Sequence, residues 1–213
     1  MKKIVVLVSG QGSNLQALID ACNNGHIAGK IVAVISNKAD AYALARAKSA
    51  GIAHRVFLRK DFTNNQIMDE QVGDYIQSLK ADLIVLAGYM KILSPAFTQR
   101  FAGKILNIHP SLLPKYPGLN TYQQALAAGE KEHGTSVHFV NEEVDGGAVI
   151  LQAKVPIFAE DGIEEIEERV KAQELRIYPL VVKWFIEDRL MLIGNHAFLD
   201  GQQLPPQGYA MEE

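Results

Sequence analysis

An asparagine and a histidine stand two residues apart at the end of an apolar run. Residues 104–110 read KILNIHP, the pattern of a buried strand that a proline stops. Because side chains alternate between the faces of a strand, Asn107 and His109 share one face. An amide N–H and a protonated imidazole can stabilise the oxyanion of an acyl-transfer intermediate, and imidazole also carries protons near neutral pH. The alternative is that each is a hydrogen-bonded structural residue.

A carboxylate would complete such a site, and Asp145 is the candidate. It lies in the segment VDGG at 144–147, shortly after a predicted strand at 135–140. A carboxylate beside an imidazole favours the protonated ring and fixes its tautomer. The spacing alone also allows a plain Asp-Gly turn, so both interpretations stay open here.

A glycine-containing turn follows the first apolar run. Residues 9–14 read SGQGSN and lead into a predicted helix, where backbone N–H groups and the helix dipole form an anion site. A dinucleotide fingerprint needs a third glycine at the position of Leu15 and an acid about 20 residues later, and this chain has neither. We therefore predict that a terminal phosphate binds to Gly12, Ser13 and Asn14. The alternative is a tight turn that only caps the helix.

The elements that must position these residues alternate along the chain. Apolar runs bounded by turn residues alternate with helical patterns, which is typical of a mostly parallel sheet. The predicted strands lie at 4–8, 31–35, 83–87, 105–108, 135–140 and 149–157. The predicted helices lie at 14–23, 41–50, 65–80, from 94 onward, 122–127 and within 161–188, and the tail from 201 is expected to be irregular.

This order predicts an α/β fold of the Rossmann-like type. We expect a mostly parallel, twisted sheet with helices on both faces and an antiparallel extension in the C-terminal half. The 213 residues can form one domain. Within it we expect a nucleotide-phosphate half at 1–100 and a catalytic half at 101–213.

Composition and charge disfavour several classes of protein. The net charge of −3 gives no basic field that would attract nucleic acid. One cysteine, Cys22, provides neither a disulfide framework nor a four-thiolate metal site, so a cytoplasmic location is expected. The first apolar run is too short for a membrane span, and no membrane partner is expected. The six histidines show no familiar ligand spacing, and no metal is expected.

Three segments together resemble the folate-dependent formyltransferase family, in particular its branch that acts on glycinamide ribonucleotide in purine biosynthesis. They are SGQGSN at 9–14, NIHPSLLPKYPG at 107–118, and HGTSVHFV at 133–140 leading to DGG at 145–147. The resemblance implies formyl transfer from 10-formyltetrahydrofolate to the amine of the ribonucleotide, both of them small molecules. It implies that the catalytic residues are Asn107, His109 and Asp145. We expect a monomer or a homodimer.

The resemblance also implies binding positions, and it places the folate site in the catalytic half together with one loop of the first half. The ribonucleotide phosphate would bind to Gly12, Ser13 and Asn14, and its glycinamide and ribose parts to Lys171, Ala172, Gln173 and Glu174. The folate would contact Asn107 and lie between Met90, Lys91, Ile92 and Leu93 on one side and Asn141, Glu142, Glu143, Val144 and Asp145 on the other. The family often has a folate-contacting arginine where this chain has Asn65, and Arg59 or Lys60 could replace it. Without the resemblance, Glu174 is a solvated helical charge and Ile92 and Leu93 are core residues.

Two alternative functions are left open by the residues. One is a formyltetrahydrofolate hydrolase, in which water replaces the amine at the same site. The other is a nucleotide-binding domain that keeps the glycine turn and catalyses nothing. Release of tetrahydrofolate without any ribonucleotide would indicate the first, and phosphate-ligand binding without transfer would indicate the second.

Overall fold

The structure is a computed structural model that describes residues 1–209, and it divides into two units between Asn107 and Ile108. The first unit contains four parallel strands and the first part of a fifth: β1 (Lys2–Val8), β2 (Gly29–Ser36), β3 (His54–Val56), β4 (Leu83–Leu86) and β5 (Ile105–His109), whose last two residues belong to the second unit. Their order in the sheet is β3-β2-β1-β4-β5. The four residues of β4 are all buried, which explains why this strand reads as an unbroken apolar run rather than an alternating one.

Four helices connect the strands of the first unit. They are α1 (Ser13–Asn23), α2 (Tyr42–Ser49), α3 (Asn65–Ser78) and α4 (Pro95–Arg100). Two of them begin at side-chain caps, which fix where the chain turns into the helix. The Asn64 side chain accepts from the N–H of Ile67 at 2.8 Å, and the Ser94 hydroxyl accepts from the N–H of Phe97 at 3.3 Å.

The second unit is built on an antiparallel pair of strands. Its elements are α5 (Thr121–Ala127), β6 (Glu132–Phe139), β7 (Val149–Pro156), α6 (Ile163–Ile186), β8 (Leu190–Ile193), β9 (His196–Leu199) and β10 (Gln202–Gln203). Helix α6 packs on β6 and β7, where Ile166 and Val170 bury their side chains against Val155. Full burial of a side chain of this size contributes about 1.5–3 kcal/mol. The last three strands form a separate antiparallel sheet in the order β10-β9-β8.

The predicted α/β fold with a mostly parallel sheet and an antiparallel C-terminal part is confirmed. Every predicted strand and helix occurs with small shifts at its ends. Strand β3 was not predicted, because three residues are too few to show a period. The C-terminal sheet was also missed, and the prediction of an irregular tail from residue 201 is wrong for Gln202–Gln203, which pairs with β9.

The structure also bears on a membrane span and on cysteine chemistry. Within residues 1–209, no helix combines the length and the apolarity that crossing a membrane requires. Burial raises the pKa of the Cys22 thiol, so this side chain is protonated at neutral pH and is a packing residue rather than a nucleophile.

Candidate active site

His109 and Asp145 meet in the second unit. Nδ1 of the imidazole lies 3.5 Å from Oδ2 of the carboxylate, and the two side chains are only 7% and 10% exposed. This distance suits an ion pair but is long for a hydrogen bond. Nε2 of His109 lies 2.8 Å from the carbonyl oxygen of Tyr116 and therefore carries a hydrogen that it donates. Both ring nitrogens thus face acceptors, which is the arrangement that a doubly protonated imidazole requires.

The turn after β6 holds Asp145 in place. The residue adopts a left-handed conformation with φ of 54°, and its Oδ2 accepts from the N–H of Gly118 at 2.8 Å. A Cβ atom on Gly147 would lie 1.7 Å from the carbonyl oxygen of Phe139, so a residue with a side chain would push the turn away from the end of β6. The Asp-Gly-Gly segment is therefore a turn, and it also aims a buried carboxylate at His109.

A second histidine, His138, faces the other oxygen of the Asp145 carboxylate. Nε2 of His138 is 3.8 Å from Oδ1 of Asp145, and its Nδ1 is 2.8 Å from the carbonyl oxygen of Phe139, to which it donates. Burial lowers the pKa of His138, against the opposite effects of the Phe139 carbonyl and Asp145. The His138 ring is therefore neutral at pH 7. Of the two imidazoles beside Asp145, His109 is the one that can pair with the carboxylate as a cation.

Buried hydroxyl groups on β6 fix the main chain around His109. The Thr135 hydroxyl donates to the carbonyl oxygen of His109 at 3.0 Å, and the Ser136 hydroxyl donates to that of Ser111 at 2.7 Å. The Ser136 oxygen also accepts from the N–H of Leu113 at 3.1 Å. The sequence analysis assigned no role to Thr135 or Ser136. The signal that could have found them is a pair of polar residues inside a buried strand.

Four residues were predicted to bind the glycinamide and ribose parts of the ribonucleotide. Of these, Glu174 lies beside the Thr135 hydroxyl that holds the main chain of His109. An oxygen of Glu174 on α6 is 3.5 Å from the Thr135 hydroxyl. Lys171 instead pairs with Glu167 on its own helix at 2.8 Å, and Gln173 accepts from Arg176. Ala172 is exposed. The structure therefore brings Glu174 towards the His109 segment and leaves the other three on the surface of α6.

The predicted folate wall in the second unit is a structured loop. The Asn141 side chain accepts from the N–H of Glu143 at 2.9 Å, and the carbonyl of Glu143 accepts from Gly146 at 3.0 Å. Glu142 is exposed, and Val144 is 48% exposed although it is apolar. Residues 143–145 border a cavity of about 510 Å³, whose other walls include His196, Ala197 and Leu204.

The glycine turn of the first unit has the geometry of an anion site. Gly12 is left-handed, with φ of 77°, and immediately precedes α1, whose first N–H groups have no acceptor within the helix. A Cβ atom on Gly12 would lie 2.6 Å from that of Ala43, so glycine lets the turn pack on α2. Nε of Arg46 donates to the carbonyl of Gln11 at 2.7 Å. The sequence pattern did not indicate Arg46, because this residue is distant from the turn along the chain.

Ser9 links this turn to the loop that follows β4. Its hydroxyl donates to the Asn37 side chain and accepts from the N–H of Met90 at 2.7 Å. The main chain at Met90, the first of the four folate-lining positions in this loop, is therefore fixed by the residue that begins the turn.

The four predicted folate-lining residues after β4 differ in their exposure. Met90 is 61% exposed and Ile92 is 71% exposed, whereas Leu93 is only 8% exposed and belongs to the core. The ammonium group of Lys91 is bonded to the buried carboxylate of Asp69. Met90 and Ile92 therefore offer side chains to a ligand, and the Lys91 side chain turns inward.

The residues considered for the folate-contacting arginine lie on the surface, either in the segment before α3 or at the start of that helix. Asn65 is the first residue of that helix and is exposed. Arg59 donates to the carbonyl of Phe62 at 2.9 Å, and Lys60 is exposed. Asn107, the remaining predicted contact, is half-buried on β5 and pairs in register with Leu86 of β4.

Comparison with known proteins shows the family to which the chain belongs. The model of a family described as formyl transferase matches residues 2–182. A phosphoribosylglycinamide formyltransferase from Haemophilus influenzae is 71% identical over 212 residues, and the match covers 100% of each chain. The protein of that name from Escherichia coli is 58% identical, with 99% of each chain covered. A solved structure of the Coxiella burnetii phosphoribosylglycinamide formyltransferase is 46% identical, covers 99% of each chain and superposes with a TM-score of 0.95. The chain therefore belongs to the formyl transferase family.

Proposed function

We propose that this chain transfers the formyl group of 10-formyltetrahydrofolate to the amine of glycinamide ribonucleotide, as a step of de novo purine biosynthesis. The names of full-length relatives support this reading over the hydrolase. The observation that carries the chemistry is the buried contact between His109 and Asp145 at 3.5 Å. A protonated imidazole that faces a carboxylate in this way can donate a hydrogen bond to an acyl oxygen and keep its positive charge while it does so.

The reaction is a direct transfer between two nitrogen atoms. The neutral amine of the ribonucleotide attacks the formyl carbon, a new N–C bond forms, and the carbonyl oxygen becomes negative. The bond between the carbon and N10 of the folate then breaks. The attacking nitrogen loses one proton and N10 gains one, so the N10 atom of the departing tetrahydrofolate is neutral. No covalent enzyme intermediate is needed, because the amine is itself a competent nucleophile.

His109 and Asn107 would stabilise the oxyanion. The Nε2–H of His109 now donates to the carbonyl of Tyr116, so it must exchange that acceptor for the oxyanion. Asn107 lies two residues earlier on the same strand, and its amide can donate from the same face. Asp145 would keep the ring charged and help to move the proton from the amine towards N10.

The residues proposed to bind the two substrates are those that the family resemblance implies. The ribonucleotide phosphate would bind to the N–H groups at Gly12, Ser13 and Asn14, and the Glu174 carboxylate would orient the glycinamide. Lys171, Ala172 and Gln173 would lie near the ribose. The folate would contact Met90, Ile92 and the loop 141–145, which together offer exposed apolar side chains and a few polar groups, as ligand sites commonly do.

A spectrophotometric assay tests the proposed function. Purified protein with 10-formyltetrahydrofolate is expected to release tetrahydrofolate only when glycinamide ribonucleotide is added, because the amine is the acceptor. The reaction without enzyme is the control for spontaneous loss of the formyl group. Equal release without the ribonucleotide would identify a hydrolase. Binding of both ligands without release would identify a non-catalytic domain.

A further inference from the structure

We infer that Asp69 is a positioning residue for folate binding, and the inference rests on the proposed function. Asp69 lies on α3 and is not one of the residues assigned to substrate or catalysis. Its carboxylate holds the loop that follows β4 in the conformation that presents Met90 and Ile92. Its chemical role is to accept two hydrogen bonds from that loop inside the protein.

The two oxygens of Asp69 bind the loop at two points. Oδ1 lies 2.5 Å from Nζ of Lys91, and Oδ2 accepts from the N–H of Ser94 at 2.6 Å. Ser94 is also the residue that caps α4. One carboxylate therefore ties the side chain at one end of residues 91–94 to the main chain at the other end.

This contact is deeply buried. The side chains of Asp69 and Lys91 are 2% and 9% exposed, and Nζ of Lys91 also lies 3.3 Å from the carbonyl of Ile92. Burial, and then the charge of Asp69, raise the pKa of the neighbouring Tyr89 hydroxyl, which stays neutral. The Asp69 carboxylate therefore has a cation on one oxygen and a main-chain donor on the other.

The consequence is an alternation along the loop. Lys91 and Leu93 turn inward, whereas Met90 and Ile92 are 61% and 71% exposed. The exposed side chains of Met90 and Ile92 are therefore available to contact an apolar part of a ligand. Because the Met90 N–H is also bonded to Ser9, hydrogen bonds hold the loop from both sides. A ligand that binds to it therefore does not have to order it.

Steady-state kinetics with both substrates varied test the inference. In Asp69→Asn the Lys91 ammonium loses its counter-charge, so the loop should rearrange to release it into water. The KM for 10-formyltetrahydrofolate should rise about tenfold or more, whereas kcat and the KM for glycinamide ribonucleotide should change less than about threefold. Lys91→Met should behave in the same way.

Asp74→Asn is the matched control. Asp74 lies on the same helix and pairs with Arg100 of α4 at 2.9 Å, but its side chain is 56% exposed and does not contact the loop. This variant should keep both KM values. If Asp69→Asn does not fold, the double variant Asp69→Asn with Lys91→Met takes its place. It buries no unpaired charge but still loses the contact between positions 69 and 91 that holds the loop, so the folate KM should also rise.

The outcomes separate this inference from the proposed function. If the wild-type protein transfers formyl groups and a folded Asp69→Asn protein keeps its folate KM within about twofold, Asp69 is not a positioning residue. The same conclusion follows if both KM values rise together, because that is the result of general destabilisation. If the wild-type protein transfers no formyl group, the proposed function is wrong and the inference falls with it.

Discussion

Replacing His109 with alanine is expected to lower kcat by at least about 10²–10³-fold, the usual cost of losing one oxyanion donor. The variant loses both the Nε2–H donor and the group that carries the proton. The side chain is 7% exposed, and its removal leaves the carbonyl of Tyr116 without that donor. We expect a small loss of stability from this change and a much larger loss of turnover. Initial rates at saturating substrates, with a thermal melt on the same sample, measure both.

The control for this prediction is His26→Ala. His26 is exposed in the loop after α1, and its main-chain N–H donates to the Asn24 side chain at 2.8 Å. This variant should turn over like the wild-type protein. Transfer by His109→Ala at a rate within about threefold of the wild type would remove the histidine from the mechanism.

Asp145→Asn is expected to reduce kcat by a similar factor, on the order of 10²–10³-fold. Asparagine tolerates the left-handed conformation that Asp145 adopts and keeps an oxygen for the N–H of Gly118. The substitution therefore removes the charge and keeps the turn. His109 then lacks the counter-charge that stabilises its protonated form, so the oxyanion has a weaker donor. Measuring kcat at pH 7 and the melting temperature of the same variant separates the effect of the lost charge on turnover from any effect on the stability of the fold.

Asp200→Asn is the matched control for Asp145→Asn. Asp200 also has a left-handed conformation, with φ of 52°, and it also pairs with a cation, Arg189, at 2.9 Å. It lies between β9 and β10, and its side chain is 54% exposed. Activity should therefore be unchanged. If the two substitutions had equal effects on kcat, the charge of Asp145 would have no special role.

The sequence predicted those parts of the fold that repeat over many residues. Buried strands such as β1 and β4 are continuous apolar runs, and caps such as Ser94 have a local signature. Strand β3 and the C-terminal sheet are short and partly polar, and their pairing depends on contacts that no local pattern encodes.

The candidate site was predictable where one strand carries two of its residues. Strand periodicity placed Asn107 and His109 on one face, and the position of Asp145 after a predicted strand made it the candidate carboxylate, with a plain turn as the alternative. The groups that hold them were not predictable, because they come from distant segments. The N–H of Gly118 that binds Asp145 is 27 residues away in the chain. Family resemblance also predicted that Lys91 lines the folate site. It did not predict that the Lys91 side chain turns inward, because that depends on its ion pair with Asp69 of α3.

A crystal structure with glycinamide ribonucleotide and an unreactive analogue of 10-formyltetrahydrofolate tests the central claim most directly. The account predicts that the amine nitrogen lies about 3–3.5 Å from the carbon that corresponds to the formyl group. The oxygen on that carbon should accept from both the Asn107 amide and the His109 imidazole, with Asp145 still on the far side of the ring. An oxygen bound to other donors, with His109 still on the carbonyl of Tyr116, would contradict it.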